Sequence, residues 1–402
     1  MFGIIILAAA YVISHFYRSF LAVLSPQLSA ELSLSPAQLS DALGVWFAAF
    51  ALSQFLVGVM LDRFGPKWTT AGLFAVCGGG GGLLFALAQS QMEILLAMLL
   101  LGVGCAPVLM ASVYIFKRSY DGRKFATLAS TFIAVGLLGN ILGASPLALA
   151  MESFGWRAVM MGLAILTLLL STMIIIWVGD PEKLPASGNG KGGFLEILRM
   201  RELWFILPLI FVNYGVVGGI RGLWAGPYLD LVHNMSAVDI GYIMLAMAIA
   251  MTAGSFVYGP ADRIFNTRKW VILAGGCCSF ASLLYWNLNP GVTPFTLAVL
   301  LMVIGFCSLF YGLLMAHATA NIPDHMAGRG VTLVNFFNMG GVGVLQWVSS
   351  EVYRQQVDQQ DVVGGFSGVL LFYLLCLGAA LAIYAFSRDS KPNRPNRPNS
   401  AE

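Results

Sequence analysis

Charge is what this sequence has least of. Asp, Glu, Lys and Arg make up 10% of its 402 residues, where a soluble domain carries about 25%. So few charges cannot cover a globular surface in water, which excludes a soluble enzyme, a nucleic-acid binder and a disordered scaffold. Cysteine is scarce too. Cys77, Cys105, Cys277, Cys278, Cys307 and Cys376 all lie in apolar stretches, where free thiols pack as small hydrophobes, so no disulfide framework, metal centre or cofactor is expected. No basic segment and no small-residue cleavage site precede the first apolar run, which is expected to stay as a span. Carboxylates are absent from the middle of every apolar run; Asp41, Glu93 and Asp239 sit at one set of ends, Asp62 and Asp262 at the other.

What is present is hydrophobicity. The hydrophobic share is 58% and the mean hydropathy +0.80. A helix needs about 20 apolar residues to cross a bilayer, and runs of that order cover 3–25, 39–61, 68–88, 93–116, 125–148, 157–178, 203–227, 239–260, 270–288, 294–318, 331–349 and 366–387. The expected fold class is an all-α membrane protein with twelve transmembrane helices. With the N-terminus placed in the cytoplasm, eighteen of the 22 Lys and Arg residues fall in inner segments and only Arg157 and Arg354 in outer ones. Basic residues accumulate on the cytoplasmic side, so both termini are expected there, in a plasma membrane of the bacterial inner-membrane kind. Residues 179–202 have the Gly, Pro, Ser and Asn content of a linker. They divide the chain into an N-terminal six-helix bundle (1–178) and a C-terminal one (203–387), with a disordered tail over 388–402.

The two bundles repeat each other. Gly58-Val-Met-Leu-Asp-Arg-Phe-Gly-Pro-Lys-Trp68 is echoed by Gly259-Pro-Ala-Asp-Arg-Ile-Phe-Asn-Thr-Arg-Lys-Trp270, and Gly122-Arg123 with Thr127-Leu128 by Gly328-Arg329 with Thr332-Leu333. Parallel six-span halves holding substrate at their interface are a transporter architecture. The loop Gly-x-x-x-Asp-Arg-x-Gly-x-Lys/Arg, matched by Gly58, Asp62, Arg63, Gly65 and Lys67, resembles the signature of the major facilitator superfamily; Pro66 stands where a basic residue is more usual. The resemblance implies two pseudo-symmetric bundles that rock about a central site. It also implies a gating role for Gly58, Asp62, Arg63, Gly65, Asp262 and Arg263. Gly58 would supply tight packing, and Asp62 would face a helix N-terminus of the other half.

Two charges do enter the membrane: Arg18 in the first span and Arg221 in the seventh, the corresponding helix of the other half. A central Arg costs roughly 2.5–3.5 kcal/mol on insertion scales, so a functional role is the default. Helical spacing places Tyr11, Ser14, His15, Arg18 and Ser25 on one face, and Tyr214, Gly218, Arg221, Trp224 and Tyr228 on another. Guanidiniums with no acidic partner at depth favour an anion. The competing reading has them snorkel outward or pair with Asp41, Asp230 or Asp239. Paired arginines in these helices resemble the organophosphate–phosphate antiporters. Those add a Lys in the second helix and a His in the fifth, where this chain has Trp46 and Gln54, and Asn140 and Ser145; organic anion is therefore the class expected.

The expected substrate-binding set is Arg18, Arg221, Tyr11, His15, Tyr214, Trp224 and Asn338, with Tyr114, Asn213, Tyr311 and Asn335 as further polar groups. His15 and His317 are the proton-coupling candidates, since His titrates near neutrality; coupling to a counter-anion would need neither. The expectation is a monomeric secondary transporter rather than an enzyme, with a small-molecule substrate and the lipid bilayer as partners and no nucleic acid. Two alternatives stand beside the anion: a copper importer using Met244, Met247, Met251, Met315 and His317, and a drug/proton antiporter.

Overall fold

The computed structural model describes residues 2–120, 128, 131–181, 194–320, 322, 327–357 and 362–391. Regular structure among them is entirely helical. The first span, α1, is a bent pair, Phe2–Phe16 and Leu21–Leu32, at 52°. Then come α2 (Pro36–Leu61), α3 (Pro66–Leu87) and α4 (Gln91–Phe116). A second bent pair, Thr131–Leu142 and Ser145–Phe154 at 43°, forms α5, followed by α6 (Trp156–Trp177). The second half contains α7 (Arg201–His233), α8 (Ala237–Phe265), α9 (Lys269–Leu288), α10 (Pro294–Thr319), α11 (Gly330–Val357) and α12 (Val362–Tyr384). Ten spans and two bent pairs make the twelve that hydropathy indicates, α10 being interrupted at 308–310.

Local chemistry sets the starts of these helices. Ser35, Ser90, Ser236 and Thr293 each accept a backbone N–H from the first turn of α2, α4, α8 and α10, satisfying donors that a helix leaves open. Ser35 and Gln38 form a reciprocal capping box. Gly65 ends the first signature helix at φ +86°, and a Cβ there would stand 2.9 Å from the Asp180 carboxyl carbon. Only glycine satisfies both conditions. The outer surface carries exposed Leu52, Val59, Val76, Leu169, Phe256 and Leu375, as lipid contact requires.

One end of the bundle carries the Phe64–Pro66 turn and the inter-half linker; the other, the far end, carries the turns at Ser33, Gly155 and Asn234. The halves meet along α2–α11, α1–α7 and α5–α8. Small residues allow the approach: Gly44 lies against the Gly343 carbonyl, Gly222 against Leu43 and the Arg18 carbonyl, and Gly241 against Ala148. Polar contacts at the far end reinforce it. The Ser40 hydroxyl donates to the Gln346 carbonyl at 2.9 Å. Asp41 accepts from Ser350 and pairs with Arg354. These contacts hold the two halves together at the far end.

Two departures from regular helix matter for the site. The α1 chain turns at 17–20, where the Arg18 and Ser19 amides bond the His15 and Phe16 carbonyls three residues back, at 3.2 and 3.0 Å. Ser25 therefore leaves the stripe that uniform helix spacing gives it; its hydroxyl returns to the Ala22 carbonyl at 2.9 Å. In α7 a π turn spans Ile220–Trp224, and the helix continues to His233, beyond the 227 boundary read from hydropathy.

Candidate functional site

Arg18 and Arg221 are buried, 7% and 5% exposed, and among the described residues neither forms an ion pair. The Arg18 guanidinium lies over Phe50 and Trp46, its carbon 4.8 and 5.6 Å from the ring centroids, a desolvated contact worth about 2 kcal/mol. Its Nε has no hydrogen-bond partner. Arg221 reaches across the interface, donating to the Asn140 carbonyl at 2.8 Å and to Asn140 Oδ1 at 3.4 Å, while its Nε stays unpaired. Neither arginine snorkels to an end or joins Asp41, which is committed to Ser350 and Arg354.

The helix breaks build this arrangement. Gly136 and Gly139 bring α5 against Tyr11, Val12 and His15 of α1. Downstream, Pro146 cannot donate a backbone bond, and the Ala144 amide bonds the Ile141 carbonyl at 3.2 Å instead of reaching Asn140. The Asn140 carbonyl is left for Arg221. The bend in α1, the bend in α5 and the π turn in α7 thus lie at Arg18, just past Asn140, and at Arg221. Irregular backbone at membrane depth is tolerated where protein groups or a cavity satisfy it, and π turns and broken spans concentrate at binding sites.

Several of the residues expected from sequence come together here. Tyr11 packs edge-on to His15 at 4.7 Å and stacks on Phe132 at 4.9 Å. Both His15 ring nitrogens are buried without partners. The Tyr214 ring meets Phe47 of the other half at 6.3 Å.

Others go elsewhere. Trp224 was expected on the Arg221 face, but the π turn adds a residue to the repeat and rotates it into the C-terminal half. There its indole N–H donates to Gln346 and Ser349 at 3.0 and 3.1 Å, with Tyr353 and Phe366 around the ring. Asn338 is buried with Oδ1 unpaired and bonds neither arginine. His317 sits near the linker end of α10, its ring nitrogens 2.7 Å from the Tyr384 hydroxyl and 2.8 Å from the Arg388 carbonyl. It belongs to that network, not to the arginine pair.

In the gating set, no atom of the described residues lies within 4 Å of where a Gly58 Cβ would stand, so the tight packing expected there is not made by them. The Asp62 side chain lies outside the described residues. The Arg63 guanidinium rests over Phe64 at 5.3 Å. Asp262 pairs with Arg268 at 3.1 Å in its own half, and Arg263 is exposed. Met247 and Met251 face Gly305 of α10, their Cγ atoms 3.1 and 3.0 Å from where its Cβ would be, in a packing contact within one half.

Sequence reasoning did not place Asn140 with Arg221, Trp46 and Phe50 with Arg18, or Gln346 at the junction of Trp224, Tyr373 and Ser349. A signal for the first was legible: Gly136, Gly139, Gly143 and Pro146 mark α5 as a helix that approaches closely and then bends.

Two six-helix halves, held together at one end and enclosing buried charge at their interface, define a membrane transporter. The chain belongs to the Major Facilitator Superfamily, whose family model matches residues 7–345. It is 27% identical to the glycerol-3-phosphate transporter of Bacillus subtilis, covering 84% of this chain and 81% of that one. It is 25% identical to the fosmidomycin resistance protein of Escherichia coli (85% and 84%) and 24% identical to the probable L-galactonate transporter of the same organism (77% and 73%). In fold it is similar to a D-xylose-proton symporter, with a TM-score of 0.76 and 14% identity over 96% of this chain and 97% of that one.

Proposed function

We propose that this transporter carries a small organic anion, gripped between Arg18 and Arg221. The observation that carries the reading is the pair itself: one buried guanidinium from each half, with no carboxylate bonded to either among the described residues. A guanidinium offers a rigid fork of donors to carboxylate or phosphate. An anion between the two would bridge the halves, the coupling that alternating access needs. Glycerol-3-phosphate and L-galactonate, named for two of the relatives, are both organic anions.

His15, packed on Tyr11 with both ring nitrogens buried and without partners among the described residues, is a group able to hydrogen-bond the substrate. The excess of Lys and Arg at the linker end assigns that end to the cytoplasm of a bacterial inner membrane. The contacts that join the halves at the far end fit a state closed on the outer side. Rocking to the outward-facing state would part Ser40 from Gln346 and Asp41 from Arg354.

Arg18→Gln and Arg221→Gln, each reconstituted in liposomes, test the reading with glycerol-3-phosphate and L-galactonate as probes. Each variant is expected to lose transport of the carried anion by about tenfold or more, the equivalent of about 1.4 kcal/mol. Undiminished transport by both would overturn it.

A further inference from the structure

The Arg221–Asn140 contact closes a polar circuit that an anion would have to reopen. Arg221 comes from α7 of one half and Asn140 from α5 of the other. Most of the contact is to main chain: the 2.8 Å bond goes to the carbonyl and the 3.4 Å one to the side-chain amide oxygen. That carbonyl would ordinarily be consumed inside the helix by the amide four residues on. Here the Ala144 amide is on Ile141 instead, at 3.2 Å, and the helix restarts at Ser145 with Pro146 in its first turn. The bend therefore manufactures an acceptor at membrane depth, and the buried guanidinium of the opposite half takes it.

Among the described residues Arg18 has no such acceptor; aromatic faces cover it, and its Nε is unbonded. The two arginines thus have unequal surroundings: Arg221 is held by a neutral protein group of the opposite half, and Arg18 by aromatic faces of its own half.

We infer that Asn140 is a positioning residue of the anion site: with the carbonyl that the α5 bend sets free, it is the resting ligand of Arg221, and an incoming anion displaces it. This rests on the anion reading above. Displacement converts a bond between protein groups of the two halves into one made through the substrate. A neutral carbonyl is a weaker partner for a guanidinium than a carboxylate or phosphate, so the exchange runs toward the anion while Arg221 stays oriented in its absence.

Two variants move the resting ligand in opposite directions. Asn140→Asp puts a carboxylate beside Arg221 and makes the resting ligand hard to displace. Pro146→Ala restores an N–H to the bend, favours a continuous helix and returns the Asn140 carbonyl to Ala144. In purified protein titrated with glycerol-3-phosphate and L-galactonate, Asn140→Asp is expected to raise Kd about tenfold and Pro146→Ala to lower it about threefold. Without any ligand, Asn140→Asp is expected to raise Tm by about 2 °C or more, and adding Arg221→Gln to cancel that rise. Wild-type Kd in both variants while Arg221→Gln still abolishes binding would overturn the role of Asn140 and leave the anion reading standing. A Tm rise that survives Arg221→Gln would overturn it too, independently of any probe. If instead Arg18→Gln and Arg221→Gln bind both probes as the wild type does, the anion reading falls and this inference with it.

Discussion

Arg221 of the seventh helix donates to the main-chain carbonyl of Asn140 of the fifth, at 2.8 Å, across the boundary between the two halves. Both residues lie at membrane depth, where an unsatisfied polar group costs several kcal/mol. Each solves the other's problem: the guanidinium lacks an acidic partner, and the bent helix has left a carbonyl without its amide. The substitutions that probe this contact act at the centre of the molecule. Three more test its surroundings.

At the far end, Asp41 of α2 holds Arg354 and Ser350 of α11. The pair is partly exposed, 38% for Arg354 and 17% for Asp41, so its worth is discounted to about 0.5–1 kcal/mol, a two- to fivefold population shift. Asp41→Asn is expected to shift the protein by that factor toward an open far end. Spin labels at Gln89→Cys and Gln355→Cys, exposed positions of opposite halves, read this as a growing long-distance fraction. An unchanged distance distribution would show that the pair does not hold the halves together there.

Gln346 joins Trp224, Tyr373 and Ser349, with bonds of 3.0, 2.7 and 3.3 Å to its side-chain oxygen. It is fully buried. Gln346→Leu removes that acceptor and is expected to destabilise the protein by about 1–3 kcal/mol, the usual cost of stranding buried donors. A fall in Tm in detergent checks it. The Ser40 hydroxyl stands 3.4 Å from the Gln346 side-chain oxygen but donates at 2.9 Å to the main-chain carbonyl, so contact between the halves is expected to survive the substitution.

At the linker end, Asp389 follows α12 and accepts from the Arg268 and Lys269 amides at 3.1 and 3.0 Å and from the Thr267 hydroxyl at 2.7 Å. Partial burial pushes its carboxyl up, but these donors outweigh it and hold the group below the usual aspartate range. A depressed folded value means that the stabilisation is complete above the unfolded value of about 3.9 and is lost as pH falls through the lower folded one. Asp389→Asn is expected to lower Tm at neutral pH and to flatten the Tm decline in the acid range below about pH 4. An unaltered acid limb would remove Asp389 as its source.

Much of this molecule was legible in one dimension. Hydropathy and charge marked twelve spans, the repeated Asp-Arg loops marked two related halves, and the two arginines stood out because a charge at membrane depth is costly. Trp224 and Ser25 show where the reading stopped. Each is placed by assuming uniform helix spacing, and each is moved by a change in backbone register: the α1 turn at Tyr17-Arg18-Ser19-Phe20 contains neither Pro nor Gly, whereas Gly218, Gly219 and Gly222 accompany the α7 π turn. His317 was grouped with the interior by being apolar in context, yet its partners are Tyr384 and the Arg388 carbonyl, roughly 70 residues away in sequence.

The sequence by itself determined the membrane class, the number of spans and the presence of two buried cations, because transfer free energy depends on residue identity summed along a segment. Tertiary structure alone decided which groups surround those cations. Whether the Asn140 carbonyl bonds Ala144 or Arg221, and whether Arg18 meets a carboxylate or the faces of Trp46 and Phe50, depends on how α5, α2 and α7 pack against α1. Those contacts come from different parts of the chain: the Arg221–Asn140 bond forms only when the two halves close on each other, and Arg18 meets Trp46 and Phe50 only when α1 packs on α2 within the first half.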